Sequence, residues 1–193
     1  MGKTIGKGAE AVLSLTRFKG KKAVVKKRIK KNYRHPLLDQ KLRKNRTRRE
    51  ERVLRRLNEN KTNSPLLYDA KDCEIIFSFE KGIQAKNAEL TKEIMGKIAL
   101  ELAKMHDLNI AHGDFTTSNI LIDGSKVKII DFGLSLFTQD AEDFATDLVL
   151  FEKTVSAQQF ALFLKAYASK KKNSPPVIER FTEIKQRGRY VER

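Results

Sequence analysis

The sequence has a single cysteine, Cys73, and no long apolar run. One cysteine cannot form an internal disulfide or bind zinc alone, so disulfide-stabilised and zinc-stabilised domains are excluded. We expect Cys73 to be a small buried hydrophobe at the start of a strand. No apolar stretch approaches the ~20 residues of a membrane-spanning helix. Because residues 1–5 also lack the apolar stretch of a secretory signal, we expect a cytoplasmic protein with no membrane association.

Acidic residues are scarce in one part of the chain. Between Arg17 and Arg56 there are nineteen Lys or Arg residues and three Asp or Glu residues, a surplus that equals the net charge of +16 of the whole chain. Such a field attracts polyanions, nucleic acid above all. A solvated helical face is the other interpretation of this run. We favour a polyanion or an acidic protein as the partner of this segment.

The hydrophobic pattern predicts two regions of different character. With 193 residues, of which 40% are hydrophobic, the chain can form one domain or two small lobes with a real core. The first region, residues 1–80, alternates like strands at 12–16, 22–26, 66–68 and 73–79. It also has one predicted helix at 37–58, whose apolar contacts are Leu42, Val53, Leu54 and Leu57. The second region, residues 81–193, is mainly helical, at 90–108 with Thr91 as a possible N-cap, at 140–167 and at 178–184.

The strongest chemical signal is His112-Gly113-Asp114 with Asn119 five residues beyond the aspartate, followed by Asp131-Phe132-Gly133. Phosphoryl transfer from a nucleotide needs a carboxylate that orients or deprotonates the nucleophile, and oxygen ligands that hold magnesium on the phosphates. Asp114 fits the first role, and Asn119 and Asp131 fit the second. The Asp123-Gly124 turn predicts a hairpin that folds the chain back and brings both acids to one place.

These two motifs resemble the catalytic loop and the metal-binding Asp-Phe-Gly of the protein-kinase-like superfamily. The resemblance implies ATP and Mg²⁺ as cofactors and a minimal bilobal α+β fold: an N-lobe with a small antiparallel sheet and one main helix, and a mostly helical C-lobe. Gly113 stands where kinases usually have the arginine that meets an activation-loop phosphate. Since the segment 131–147 is also short and has no Ala-Pro-Glu, we do not expect that regulation or a full peptide-docking platform.

The first region fits the same scheme. A small-residue turn at 6–11 implies a phosphate-covering loop, with the nucleotide-contacting residues Ile5, Gly6, Lys7, Gly8, Ala9, Glu10, Ala11 and Val12. Lys26, favoured over Lys27 by strand alternation, would neutralise phosphate charge. A carboxylate must orient this lysine, and Glu50 is favoured over Glu51 because it lies nearer the buried helix face.

Two further positions follow from the kinase resemblance. Phe77, Ser78, Phe79 and Glu80 resemble the hinge between kinase lobes, whose backbone would bind adenine; a core strand with a turn is the plainer interpretation. Asp147 fits either a brace for the catalytic loop or a helix cap.

A wider match covers nearly the whole chain. It includes Gly8-Ala9-Glu10-Ala11, the Tyr33-Arg34-His35-Pro36 segment, Arg46-Thr47 with Glu50, and the terminal Arg187-Gly188-Arg189. With the catalytic motif these residues are similar to the small kinase subunit of the KEOPS complex. The resemblance implies a serine/threonine kinase or ATPase that supports threonylcarbamoyladenosine formation on tRNA. Its partners would be the KEOPS transferase subunit, a small regulatory subunit on the N-lobe, and tRNA on the basic segment and C-terminal tail.

Two alternatives stay open at this point. His-Gly-Asp followed by Asn also resembles small-molecule phosphotransferases such as aminoglycoside and choline kinases, although only about sixty residues follow Asp131 to form an acceptor site. A nucleotide-responsive scaffold without catalysis would explain the charge distribution. It would not require the complete set of Lys26, Glu50, Asp114, Asn119 and Asp131.

Overall fold

The computed structural model describes residues 3–8 and 10–191, with the backbone alone for residues 188–191. Ala9, expected in the phosphate-covering loop, and the side chain of Arg189, expected in the basic tail, lie outside the described residues. The chain divides into two compact units, Met1–Glu80 and Lys81–Arg193, which we call unit 1 and unit 2. The α+β fold class is confirmed.

Unit 1 is a five-stranded antiparallel sheet with one long helix. The sheet order is β1-β2-β3-β5-β4. The elements are β1 (Thr4–Lys7), β2 (Ala11–Phe18), β3 (Lys21–Arg28), α1 (Pro36–Glu59), β4 (Leu67–Lys71) and β5 (Glu74–Ser78). The β2–β3 hairpin turns through Lys19 and Gly20, which both have positive φ, as the tight turns of hairpins require.

Helix α1 is held to its surroundings in two different ways. Its second half buries Val53, Leu54 and Leu57, which form the core of unit 1 with apolar residues of the sheet such as Ala23, Val24 and Ile75. In its first half, Leu37 and Leu38 are exposed and Leu42 is half-buried, while the buried residues are Asp39 and Thr47. Of the four expected apolar contacts of this helix, Val53, Leu54 and Leu57 are buried and Leu42 is only half-buried, because the first half is held mainly by polar contacts.

Unit 2 is mainly helical, with two small antiparallel sheets. One sheet has the order β6-β8-β9 and the other pairs β7 with β10. The elements are β6 (Ile83–Gln84), α2 (Lys92–Asp107), β7 (Ile110–Ala111), β8 (Ile120–Asp123), β9 (Lys126–Ile129), β10 (Leu136–Phe137), α3 (Ala141–Glu152), α4 (Ala157–Lys170) and α5 (Pro175–Val191). The expected hairpin is present, since β8 pairs with β9 and Asp123 opposes Lys126 across the turn.

Helix ends and aromatic side chains explain why unit 2 folds as it does. The Thr91 side chain accepts the Ile94 N–H at the start of α2, which confirms the predicted N-cap, and Ser156 begins α4 with a capping box. Phe115, Phe151 and Phe163 form the aromatic core, with ring centroids 5.2 Å apart for Phe115–Phe151 and 4.5 Å for Phe151–Phe163. This core lies directly behind the loop that carries Asp114.

Some local expectations are wrong. Gly6 and Lys7 lie in strand β1 rather than in a turn, because they pair with Leu13 and Val12 of β2. Cys73 is half-buried rather than buried. The last helix begins earlier than predicted, at Pro175, because a proline in the first helical turn gives up only an N–H that has no partner inside the helix. None of the described helices is long and apolar enough to cross a membrane.

A buried histidine links three elements of unit 2. His106 at the end of α2 has its Nε2 3.1 Å from Asp147 Oδ2 and its Nδ1 2.6 Å from the Tyr167 hydroxyl. A carboxylate can only accept, so Nε2 carries the proton and Nδ1 accepts from tyrosine. Burial lowers the pKa of His106 and outweighs the opposing effect of Asp147; burial also raises the pKa of Tyr167. The imidazole is therefore neutral at pH 7.

This neutral histidine predicts acid sensitivity. As the pH falls below ~6.5, the unfolded chain binds a proton at His106 and the folded chain does not. The free energy of unfolding should therefore fall with decreasing pH, by up to about 1.4 kcal/mol per pH unit from this group.

Urea denaturation between pH 7.5 and 5.0 measures the slope. The variant His106→Gln should be less stable at pH 7.5 but should lose this part of the slope. The exposed histidine provides the control, since His35→Gln should leave the slope unchanged. An unchanged slope in His106→Gln would contradict the assignment.

Candidate active site

Asp147 holds the catalytic loop in place. Its Oδ2 accepts the N–H of His112 at 2.6 Å and its Oδ1 accepts the N–H of Gly113 at 2.8 Å. The carboxylate is fully buried inside α3, whose N-cap is Asp140. Of the two roles expected for Asp147, the structure therefore shows the brace and not the cap.

His112 connects the catalytic loop to the segment before Asp131. Its Nε2 lies 3.1 Å from the Ile130 carbonyl oxygen, and its Nδ1 accepts the Asp114 N–H at 3.3 Å. Only the neutral tautomer with the proton on Nε2 satisfies both partners. The ring is also in aromatic contact with Phe115 and Phe132, so one buried side chain fixes the backbone on both sides of the motif.

Gly113 occupies a position that has no room for a side chain. Its φ is +77°, and an added Cβ would lie 2.6 Å from the Leu134 carbonyl oxygen. Since L-residues avoid this region and real Cβ contacts are never so short, glycine is required here. The absence of the usual arginine is thus a geometric necessity of this loop.

Asp114 and Asn119 are joined directly. The Asn119 side-chain nitrogen donates to the Asp114 carbonyl oxygen and to Asp114 Oδ2, both at 2.8 Å. The nitrogen is committed to Asp114, so the side-chain oxygen of Asn119 is the atom that could bind a metal. Both residues are half-buried, which leaves their polar atoms accessible from one side.

Asp131 follows strand β9 and is exposed. The hairpin places it near Asn119, because the N–H of Ile130 donates to the Asn119 carbonyl oxygen at 2.9 Å. Its φ of +63° is unusual for a residue other than glycine, and the Gly133 N–H donates to its Oδ1 at 3.3 Å. A backbone conformation of this kind is typical of residues that a functional site holds in a set direction.

The donor set suits magnesium rather than a metal held by the protein alone. Within the described residues no group of three or more His, Cys, Asp or Glu could hold a metal ion. Mg²⁺ usually takes one or two protein oxygens and completes its shell with water and phosphate. One amide oxygen on Asn119 and one carboxylate on Asp131 fit this habit.

The short segment after Asp131 is fastened to the catalytic loop. The Ser135 hydroxyl donates to the His112 carbonyl oxygen at 3.0 Å, and β10 pairs with β7. The Thr138 N–H donates to the Asn109 carbonyl oxygen at 2.9 Å. Several of its polar groups are therefore bonded inside unit 2.

In unit 1, Lys26 and Glu50 form a buried ion pair. Lys26 Nζ lies 2.7 Å from Glu50 Oε1, and both side chains are less than a tenth exposed. The competing residues are on the surface and paired elsewhere, Lys27 with Glu74 and Glu51 with Arg55. The buried pair thus consists of the lysine and the glutamate that the sequence analysis favours, and their role toward phosphate stays a prediction.

A second buried cation shares the same carboxylate. Arg28 Nη2 lies 2.6 Å from Glu50 Oε2, and its Nε has no hydrogen-bond partner among the described residues. Lys26 and Arg28 alternate with Lys27 along β3, so both face α1. Sequence reasoning missed Arg28, although the two-residue spacing from Lys26 was a usable signal.

The expected phosphate-covering loop is shorter than predicted. Ile5, Gly6 and Lys7 lie in β1 and Ala11 and Val12 lie in β2, so of the expected loop the structure describes only Gly8 and Glu10 outside the strands, and we call this connection the turn. The Gly8 N–H closes it by donating to the Ala11 carbonyl oxygen at 3.0 Å. Neither Gly6 nor Gly8 has a positive φ. Their value to a nucleotide would be the small size of glycine, not its conformational freedom.

The expected hinge residues end strand β5. The N–H of Ser78 donates to Leu66 and that of Phe79 to Lys22, both through backbone carbonyl oxygens. The Ser78 hydroxyl donates to the Glu80 carboxylate, and Lys22 Nζ lies 3.8 Å from the centre of the Phe79 ring. Phe77 pairs with Val24 in the sheet. An adenine ring would therefore have to bind other backbone groups of this segment.

Comparison with known proteins indicates the family to which the chain belongs. The protein kinase domain family matches residues 1–155. A probable bifunctional tRNA threonylcarbamoyladenosine biosynthesis protein of Methanobrevibacter smithii is 38% identical over 97% of this chain, but the match covers 36% of that relative. The chain thus spans little more than a third of the bifunctional relatives it matches. The KEOPS complex subunit Bud32 of Pyrococcus abyssi is 35% identical over 99% of this chain and 97% of its own length.

A solved structure shares the fold. The Rio2 kinase of Chaetomium thermophilum, in a complex with ADP, Mg²⁺ and phosphoaspartate, superimposes with a TM-score of 0.68 at 16% identity, covering 100% of this chain and 71% of that one. At this identity the likeness concerns the fold alone. The sequence relatives, the family match and the fold agree. The chain therefore belongs to the protein kinase domain family and, within it, to the group of the KEOPS subunit Bud32 and its counterparts in tRNA threonylcarbamoyladenosine biosynthesis proteins.

Proposed function

We propose that this protein is an ATP- and Mg²⁺-dependent kinase or ATPase of the KEOPS complex that supports threonylcarbamoyladenosine formation on tRNA. The observation that carries the catalytic part is the arrangement of Asp114, Asn119 and Asp131. The Asn119 side-chain nitrogen donates to Asp114, and its backbone carbonyl oxygen accepts the N–H of Ile130, the residue before Asp131. The side-chain oxygen of Asn119 is then the atom for the metal. A non-catalytic scaffold has no need of this geometry.

Each residue has one task in the proposed reaction. Asp114 accepts or orients the proton of the attacking hydroxyl or water. Asn119 and Asp131 hold the magnesium that, when bound, neutralises charge on the phosphates and leaving group. Lys26, directed by Glu50, adds positive charge for the phosphates. The preorganisation lies in the surrounding contacts, since Asp147, His112 and Arg28 fix the groups that would touch the nucleotide.

The names of the relatives support the biological setting. Two groups of relatives are named for KEOPS or for tRNA threonylcarbamoyladenosine biosynthesis, and the chain matches almost the full length of the first. We propose that the transferase subunit of KEOPS, a small regulatory subunit and tRNA are its partners.

The alternative activity is phosphoryl transfer to a small molecule. A macrolide phosphotransferase shares the fold, and such an activity would require a small acceptor for turnover.

Exposed arginines on α1 support tRNA as a partner. Several basic residues of the segment Arg17–Arg56 are occupied by acids, among them Arg43 with Asp39 and Lys44 with Asp72. Arg48 and Arg49 are exposed on α1, and we propose that they contact the phosphate backbone of tRNA. Contacts of this type contribute affinity without sequence preference and weaken as salt rises.

The first prediction from the proposed function concerns the catalytic groups. Asp114→Asn should lower Mg²⁺-dependent phosphate release from ATP by about a hundredfold or more and still bind ATP, because only the proton acceptor is lost. Asp131→Asn should lose the magnesium-dependent part of ATP affinity, and asparagine tolerates the positive φ at this position.

The measurement is phosphate release and ATP binding with and without Mg²⁺, for the protein alone and with a KEOPS transferase subunit plus tRNA. Asp123→Asn, which changes an exposed aspartate of the β8–β9 turn, is the matched control and should behave as wild type. Turnover that persists in Asp114→Asn would refute the role of this residue, and turnover only with an added small acceptor would favour the alternative activity.

The buried triad of Lys26, Glu50 and Arg28 gives a second prediction. Glu50→Gln leaves Lys26 and Arg28 buried without a counter-charge, which should destabilise the protein by about 3 kcal/mol and abolish turnover. Glu51→Gln changes the neighbouring residue, whose ion pair with Arg55 is on the surface, and should cost less than about 1 kcal/mol. Urea denaturation and phosphate release measure both; equal effects of the two variants would contradict the assignment.

The polyanion interface gives a third prediction. The double variant Arg48→Glu/Arg49→Glu should weaken tRNA binding and reduce the slope of log affinity against log salt by roughly one per lost phosphate contact. The double variant Lys165→Glu/Lys170→Glu makes the same change of net charge on exposed residues of α4 and is the control. Equal losses in both would mean that only net charge matters, and α1 would not be the interface.

A further inference from the structure

Glu10, at the end of the turn between β1 and β2, is bound by two arginines. Its Oε2 lies 2.7 Å from Arg46 Nη1 on α1, and its Oε1 lies 3.6 Å from Arg34 Nη2 in the segment before α1. Its backbone carbonyl accepts the Ile29 N–H at 3.1 Å, just beyond β3. A residue of the turn is therefore fastened to three other parts of unit 1.

A free carboxylate at this position would be unfavourable for a phosphate-binding turn. It would repel the phosphates or compete for their magnesium. With Arg34 and Arg46 beside it, the group of three side chains carries a net charge of +1 instead. The ion pairs thus convert a repulsive residue into part of a mildly attractive surface, and they occupy both carboxylate oxygens.

Arg46 also connects the turn to the buried triad. It lies four residues before Glu50 on α1, so both side chains leave the same face of the helix one turn apart. Glu50 binds Lys26 at 2.7 Å, and Arg46 binds Glu10 at the same distance. One helical turn of α1 therefore sets the position of both the phosphate-binding lysine and the turn residue.

We infer that the Glu10–Arg46 pair is a positioning pair, which holds the phosphate-covering turn at a fixed place relative to Lys26. This inference rests on the proposed function, and it gives Glu10 a positioning role in place of the expected contact with the nucleotide. The pair acts through the turn, so it contributes to phosphate binding in the ground state and the transition state alike. Its loss should raise KM for ATP more than it lowers kcat.

The variant Glu10→Gln tests this inference. It keeps the size of the side chain and removes its charge, and KM for ATP should rise about tenfold, with a similar loss in the affinity of a fluorescent ADP analogue. The matched control is Asp72→Asn. Asp72 pairs with Lys44 of α1 at 2.9 Å with comparable exposure, but it lies in the β4–β5 turn. The control should keep KM within about twofold of wild type, and thermal melting should be similar for both.

Exchanging the charges of Glu10 and Arg46 distinguishes a positioning role from a general loss of structure. Glu10→Arg alone should weaken nucleotide binding, and adding Arg46→Glu should restore most of it, because the pair is rebuilt in reverse. An unchanged KM in Glu10→Gln, or no recovery in the exchanged double variant, would overturn the inference. Failure of the proposed function is a different result: wild-type protein would then lack Asp114-dependent turnover, while ADP-analogue binding could still report on Glu10.

Discussion

The catalytic loop of unit 2 depends on one buried carboxylate. Asp147 accepts two consecutive backbone N–H groups and lies within hydrogen-bond distance of His106, so its charge is compensated at three points. Burying a carboxylate without such partners would cost free energy. Because the partners of Asp147 lie in the loop and in α2, their hydrogen bonds hold both of these elements against α3. Because the two N–H groups are consecutive, the bonds also set the turn at Gly113 and so the direction of Asp114. The aromatic core behind Phe115 supports this arrangement but does not orient it.

In unit 1 a buried carboxylate is also compensated, but by positively charged side chains instead of backbone N–H groups. The buried Glu50 carboxylate binds both Lys26 and Arg28. One helical turn earlier on α1, the half-buried Arg46 binds Glu10. The first half of α1 thus stays in place through ion pairs, where most helices use apolar contacts. Geometry in such a network is more sharply defined than in an apolar interface, because charged hydrogen bonds constrain both distance and angle. That definition suits a helix that directs Lys26, the lysine that we propose to bind phosphate.

The basic segment Arg17–Arg56 contains side chains that form ion pairs within the fold and side chains that face solvent, and a charge count alone does not distinguish them. Lys26, Arg28, Arg43 and Arg46 hold the fold through acids that lie far away in the sequence or one helical turn away. Arg48 and Arg49 face solvent and account for part of the external field. The same residue types therefore stabilise the fold in one place and remain exposed to solvent in another, and the side of the strand or helix on which each lies decides which.

The sequence by itself determined the element types, the α+β class and the identity of the catalytic motif, because these follow from local periodicity and from residues that are close together in the chain. The choice of Lys26 over Lys27 also came from strand alternation. Only the tertiary structure decided the roles of Arg28, Ser135 and Tyr167, since each depends on a partner in a distant element. It also decided that Gly113 must be glycine, because the limiting contact is the Leu134 carbonyl oxygen twenty-one residues later. Local patterns predict which groups a chain offers; packing alone decides which of them meet.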